Sequence, residues 1–156
     1  MTPIKKFSPE WWESLTAHEV GNEVEALVEK TLKFFNTRLV FAFHRLPDTK
    51  SARLNMVASQ PADYIYRCGK HAGMIEAKGL GHPYRLPKKN LSQLPTLRKW
   101  ALAGSEDVVL VYHYMQDKWR PVHPIALNPA DPSWDLRQFL TFGTAEEALK
   151  STGYFG

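Results

Sequence analysis

Apolar positions along the chain follow two different periods. From Gly21 to Phe35, Val24, Leu27, Val28, Thr31, Leu32 and Phe35 recur every three or four residues, which places them on one stripe of an α-helix. Ser8 to Thr16 predicts a shorter helix before it, with Ser8 as cap and Pro9 at the first position. The pattern then tightens. Leu39–His44 (LVFAFH), Asp63–Arg67 (DYIYR) and Gly73–Lys78 (GMIEAK) predict strands, the last two joined by a glycine-bearing hairpin connection. Leu46–Gln60 is polar, and Gly79–Pro87 holds two glycines and two prolines, so both predict loops. Lys88–Ala103 predicts a helix entered or broken near Pro95. Asp107–Tyr114 and Lys118–Ile125 predict a hairpin turning at Gln116–Asp117, and the continuous apolar run Val108–Val111 suits a strand buried on both faces. Trp134–Leu140 and Thr144–Lys150 predict short closing helices, the second with a capping-box start. Two helices, three strands, a helix, two strands and closing helices make an α/β chain, expected to build a mixed sheet with helices on both sides.

Composition adds limits to this picture. With 156 residues, no repeat, no low-complexity stretch and no linker, residues 1–156 are expected to form one domain. A lone cysteine, Cys68, excludes an internal disulfide framework and a multi-cysteine zinc site, and suits a reducing, cytoplasmic setting. The start carries no apolar run of the secretory kind, and Val108–Tyr112 is too short to cross a bilayer. Charge is uneven. Between Arg45 and Lys99 lie eleven basic and three acidic residues, a balance of +8, while the remainder carries −4 within a total of +4. A basic centre in an acidic frame points to a polyanion, nucleic acid first.

The three acids in that segment are Asp48, Asp63 and Glu76. Side chains alternate along a strand, so Glu76 and Lys78 project from one face and Ile75 and Ala77 from the other. A hairpin brings Asp63 toward the same face. Two carboxylates and an ammonium on a small patch repel and resist burial unless something resolves the charge. A divalent cation does so, because Mg²⁺ takes oxygen ligands from one or two carboxylates and from substrate phosphate. Lys78 beside it could orient an attacking water or stabilise developing negative charge. The plainer reading makes Glu76 and Lys78 a solvent-facing pair on an edge strand.

Pro61-Ala62-Asp63 with Glu76-Ala77-Lys78 resembles the signature of the PD-(D/E)XK nuclease superfamily. Gly21-Asn22-Glu23-Val24-Glu25 resembles the helix that supplies a further acid in its Holliday junction resolvases. With Asp63-Tyr64 and Leu91-Ser92-Gln93, the chain is most similar to small, phage RecU-type resolvases. The resemblance covers roughly Gly21 to Tyr114. It implies a restriction-endonuclease-like mixed sheet flanked by helices, a homodimer acting on four-way DNA junctions, and Mg²⁺ at each site, with Mn²⁺ able to substitute. It implies Asp63, Glu76 and Glu25 as metal ligands and Lys78 as the catalytic lysine. Gln93 is a further candidate at the site, and Lys50, Arg53, Arg85, Lys88 and Lys89 are candidate DNA contacts. The sequence departs from the family in lacking a literal Pro-Asp pair and in having a short Leu46–Gln60 segment where RecU-type proteins carry a long stalk. Its part beyond Pro121 has no counterpart in the resemblance. The alternatives are a restriction-like, nicking or repair nuclease of the same fold, and a non-catalytic nucleic-acid-binding module.

Overall fold

The computed structural model describes residues 2–38, 40–47 and 60–156. Lys50 and Arg53, with most of the expected Leu46–Gln60 loop, lie outside the described residues. Helix α1 (Pro9–Ser14) is capped by Ser8, whose hydroxyl accepts the Trp11 N–H at 3.3 Å. Helix α2 (Ala17–Phe35) starts four residues before the expected Gly21. Thr16 and Glu19 cap it reciprocally, each side chain accepting the other's backbone N–H at 3.2 and 3.0 Å, which satisfies two otherwise unpaired donors. Val20, four residues before Val24, carries the apolar stripe into this first turn, ahead of the expected start. The buried stripe of α2 is Val20, Val24, Val28, Leu32 and Phe35.

Strands β1 (Phe41–Arg45), β2 (Tyr64–Cys68) and β3 (His71–Leu80) form an antiparallel meander. The β2–β3 turn is Gly69-Lys70, and Gly69 has φ +59°, a conformation that favours glycine at the first position of a two-residue hairpin. β3 runs through Gly79 and Leu80, where a loop is expected from composition. A second strand, β4 (Arg85–Pro87), lies in the same expected loop. Lys88–Asn90 is a single 3₁₀ turn, and α3 (Leu94–Leu102) begins only at Leu94 with Pro95 in its first turn. Arg85, Lys88 and Lys89 therefore sit on a strand and a 3₁₀ turn, and do not open a helix. β5 (Val108–His113) and β6 (Lys118–Val122) form the expected hairpin, with Asp117 at φ +52° in its turn.

Trp134–Leu140 is not a helix. Strand β7 (Ser133–Asp135) precedes a 3₁₀ turn over Leu136–Gln138. Trp134 and Leu136 are buried around a half-exposed Asp135. That two-residue alternation is the strand period, and it outweighs helical propensity here. β7 pairs with β4 as a small second sheet. Helix α4 (Ala145–Lys150) closes the chain behind its Thr144 cap.

The main sheet has the order β1-β2-β3-β5-β6, with β3 and β5 parallel and all other neighbours antiparallel. One face, through Ile75, Ala77, Val108, Leu110 and Tyr112, packs against α1, α2 and α4. The other, through Met74, Leu80, Val109 and Val111, packs against α3 and the β4–β7 sheet. This is a mixed α/β fold with a five-stranded sheet flanked by helices. Among the described residues, no helix is long and apolar enough to cross a membrane.

Candidate active site

β3 lies in the middle of the sheet, between β2 and β5. This removes the reading of Glu76 and Lys78 as a pair on an edge strand. Glu76 is only 2% exposed. Its Oε1 lies 3.4 Å from the Lys78 ammonium, while its Oε2 is buried with no hydrogen-bond partner among the described residues. Asp63 precedes β2 and crosses the hairpin, its Oδ2 accepting the Ala77 N–H at 2.8 Å. That bond follows from the register, in which Tyr64 opposes Ile75 and Asp63 comes level with Glu76.

Glu25 arrives from α2. Gly79 lets the helix close on β3, because a Cβ there would lie 2.9 Å from both Val20 Cγ1 and Val24 Cγ2. The Tyr64 hydroxyl also ties the helix to β2 by donating to the Glu25 carbonyl at 3.1 Å. Glu25, Asp63 and Glu76 thus share one electrostatic environment, with Asp63 interacting with each of the other two. Burial raises Glu25 to about 7, with repulsion from Asp63 adding to it. Burial raises Asp63 to about 6, aided by repulsion from Glu76. Burial also pushes Glu76 up, against the opposing pull of Lys78.

Sequence reasoning placed no role on Arg45. Its guanidinium lies 3.0 Å from Glu25 Oε2 and 4.0 Å from Glu29 Oε1. The signal was present in the strand register, since the last residue of β1 opposes Tyr64, next to Asp63. Gln93 precedes α3 on the Glu76 side of the sheet, and its side-chain oxygen accepts from Ser92 Oγ at 3.5 Å. No hydrogen bond among the described residues joins it to the carboxyls. Arg85 donates to Ser133 Oγ at 2.9 Å, Lys88 donates to the Pro129 carbonyl, and Lys89 is exposed. These three basic groups stand on the β4–β7 side, the side from which Glu76 and Lys78 project.

Among the described residues, no three His, Cys, Asp or Glu side chains already converge as an ion cage. The donor set nevertheless fits a divalent cation. Its ligands are hard oxygens, they are desolvated and mutually repelling, and one buried carboxylate oxygen has no partner. Such a cation would satisfy that oxygen and offset both the lost hydration and the repulsion among the three groups.

No protein-family model and no curated protein matches the sequence. Among solved structures, the chain is similar to Hjc, a Holliday junction resolvase from the archaeal hyperthermophile Archaeoglobus fulgidus, with 21% identity and a TM-score of 0.51 over 87% of this chain and 98% of that one. At that identity the likeness is one of architecture: the chain has the restriction-endonuclease-like fold of that resolvase.

Proposed function

We propose that this chain is a divalent-metal-dependent endodeoxyribonuclease that acts as a homodimer on branched DNA, four-way junctions first. The observation that carries the reading is the set of three desolvated carboxyls beside an ammonium on a central strand, with one carboxylate oxygen left unpaired. A hydrophobic sheet does not retain such a group for stability, because buried like charges cost free energy. The +8 balance of the segment that carries the site supports a polyanionic substrate. The fold likeness to a Holliday junction resolvase supports branched DNA over simple duplex.

Asp63, Glu76 and Glu25 would hold the cation, Mg²⁺ by expectation, with Mn²⁺ able to substitute. When bound, it would supply an acidified water and a polarised phosphate oxygen. Asp63 is kept in place by the Ala77 N–H, and Glu25 by Arg45. Lys78 holds its ammonium 3.4 Å from Glu76 on the same patch, where it would orient the attacking water and balance the negative charge that develops on the phosphate. One chain carries one such site, and resolving a junction takes two opposed nicks, so two copies about a two-fold axis complete the enzyme.

Purified protein incubated with labelled four-way junction and matched linear duplex, with and without Mg²⁺, tests the reading. Junction cleavage that stops in excess EDTA is the expected result. Equal cleavage in EDTA would remove the metal, and duplex cut as fast as junction would replace the resolvase with a restriction-like enzyme.

A further inference from the structure

The β4–β7 sheet is a small wing with two distinct faces. Leu86 and Trp134 point inward to the core, while Arg85 and Asp135 face each other across the outer side. Its position is fixed from below by Arg120, which is 6% exposed and makes no ion pair with a carboxylate among the described residues. Arg120 donates to the carbonyls of Leu136, Phe139 and Pro83 and to His113 Nε2. His113 Nδ1 in turn reaches the His82 carbonyl at 3.0 Å. One buried guanidinium therefore ties β5 and β6 to both chain segments of the wing.

On this fixed base, Arg137 lies with its guanidinium carbon 4.1 Å from the centre of the Tyr84 ring. Asp135 grips its edge through bonds of 3.0, 3.1 and 2.6 Å, and the Leu136 N–H donates to the Tyr84 carbonyl at 2.8 Å. The His82 ring meets Tyr84 edge-on at 4.7 Å. The guanidinium is thus held over a ring with its edge on a carboxylate, and 64% of the side chain is exposed. Its charge is already matched by Asp135, which makes it a weak phosphate ligand. A planar group held in this way is instead preorganised for stacking. Phosphate binding on the wing falls first to the exposed Lys89 and to Lys88 beside it, because Arg85 shares Asp135 at 4.0 Å.

We propose that the β4–β7 wing is a DNA-contacting arm in which Lys89 and its neighbours take backbone phosphates while the Arg137–Tyr84 pair stacks a base lying outside the duplex. The inference rests on the nuclease reading above, and through β7 and Arg137 it draws in a part of the chain beyond the reach of the family resemblance. An unpaired base beside a branch point offers a free π-face on which such groups stack.

The full-length chain is titrated in Ca²⁺ with gapped DNA carrying 2-aminopurine in the gap, and with blunt duplex, across a salt series. Arg137→Lys, which keeps the charge and removes the plane, is expected to weaken gapped-DNA binding about tenfold, to lose the 2-aminopurine quench, and to leave duplex binding and the salt slope unchanged. Tyr84→Ala should behave alike, and Tyr84→Phe should retain the quench. Lys89→Ala should lower the salt slope by about one on both DNAs. Wild-type affinity and full quench in Arg137→Lys would overturn the wing proposal while leaving the nuclease reading intact. Failure of the wild-type chain to bind any DNA would overturn both.

Discussion

At the scale of single residues, the carboxyls of the site work against the stability of the fold. Glu25 and Asp63 are raised to about 7 and about 6, each by burial first, with repulsion from Asp63 adding to Glu25 and repulsion from Glu76 adding to Asp63. A carboxyl raised on folding contributes stability that is fully present below its unfolded pKa of about 4 and is lost as pH rises through 6 and 7. Without metal, the melting temperature should therefore rise as pH falls from 7.5 toward 5. Asp63→Asn should melt higher than wild type at pH 7.5, by a few degrees if about 1 kcal/mol of repulsion is relieved, and should lose the upward shift that Mg²⁺ gives wild type. A melting curve of Asp63→Asn that coincides with wild type in both conditions would contradict this. The same variant and Glu76→Gln should abolish cleavage with the fold intact. Lys78→Ala should lose about 10²–10³ in rate, the usual cost of removing one preorganised charge stabiliser. Single-turnover cleavage in Mg²⁺ measures all three.

At the scale of elements, the site depends on how closely α2 lies on β3. Gly79 gives that approach, since any Cβ would press on the two valines of α2 at 2.9 Å. Those valines are branched at Cβ and held in a helix, so the helix itself has to move. Gly79→Ala should cost about 1–3 kcal/mol, the range for overpacking. It should also reduce cleavage by displacing Glu25 relative to Asp63, beyond what the lost stability explains at a temperature where the variant is folded. Denaturant unfolding and cleavage on one preparation separate the two effects. Arg120 is the corresponding pin for β5, β6 and the wing. Arg120→Met would strand three carbonyls, at about 1–3 kcal/mol for each buried group left unpaired, and should lower the melting temperature by at least several degrees.

For the whole molecule, the pH response has two opposed arms. Burial lowers His113, whose neutral ring accepts from Arg120. A histidine lowered on folding contributes stability that is present above its unfolded pKa of about 6.5 and is lost as pH falls through the folded value. The carboxyl site gains as pH falls, and the His113–Arg120 contact loses. The net optimum should shift to higher pH in Asp63→Asn, where one of the gains is gone. Thermal melts of wild type and Asp63→Asn from pH 5 to 8 check this. An unchanged optimum would mean that the two arms do not set it.

Much of this molecule was legible in the order of its residues. The α2 stripe, the β2–β3 hairpin and the continuous run of β5 follow from periods of 3.6 and 2 and from a glycine at the turn, all local features. The pairing of Asp63 with Glu76 was readable for the same reason, because a hairpin of two short strands fixes which residues face each other. Other features depend on contacts distant in the chain. β3 continues through Gly79 and Leu80 because β5, about thirty residues later, offers a parallel ladder. Arg85–Pro87 becomes a strand only because Ser133–Asp135 lies beside it, and Trp134 turns inward for the same reason. The burial of Glu76, the hold of Arg45 on Glu25 and the clip made by Arg120 are equally non-local. Sequence by itself determined which chemical groups the chain carries and how near neighbours alternate. Tertiary structure decided which groups lose water and which charges meet, because desolvation and long-range pairing depend on what packs on the opposite side.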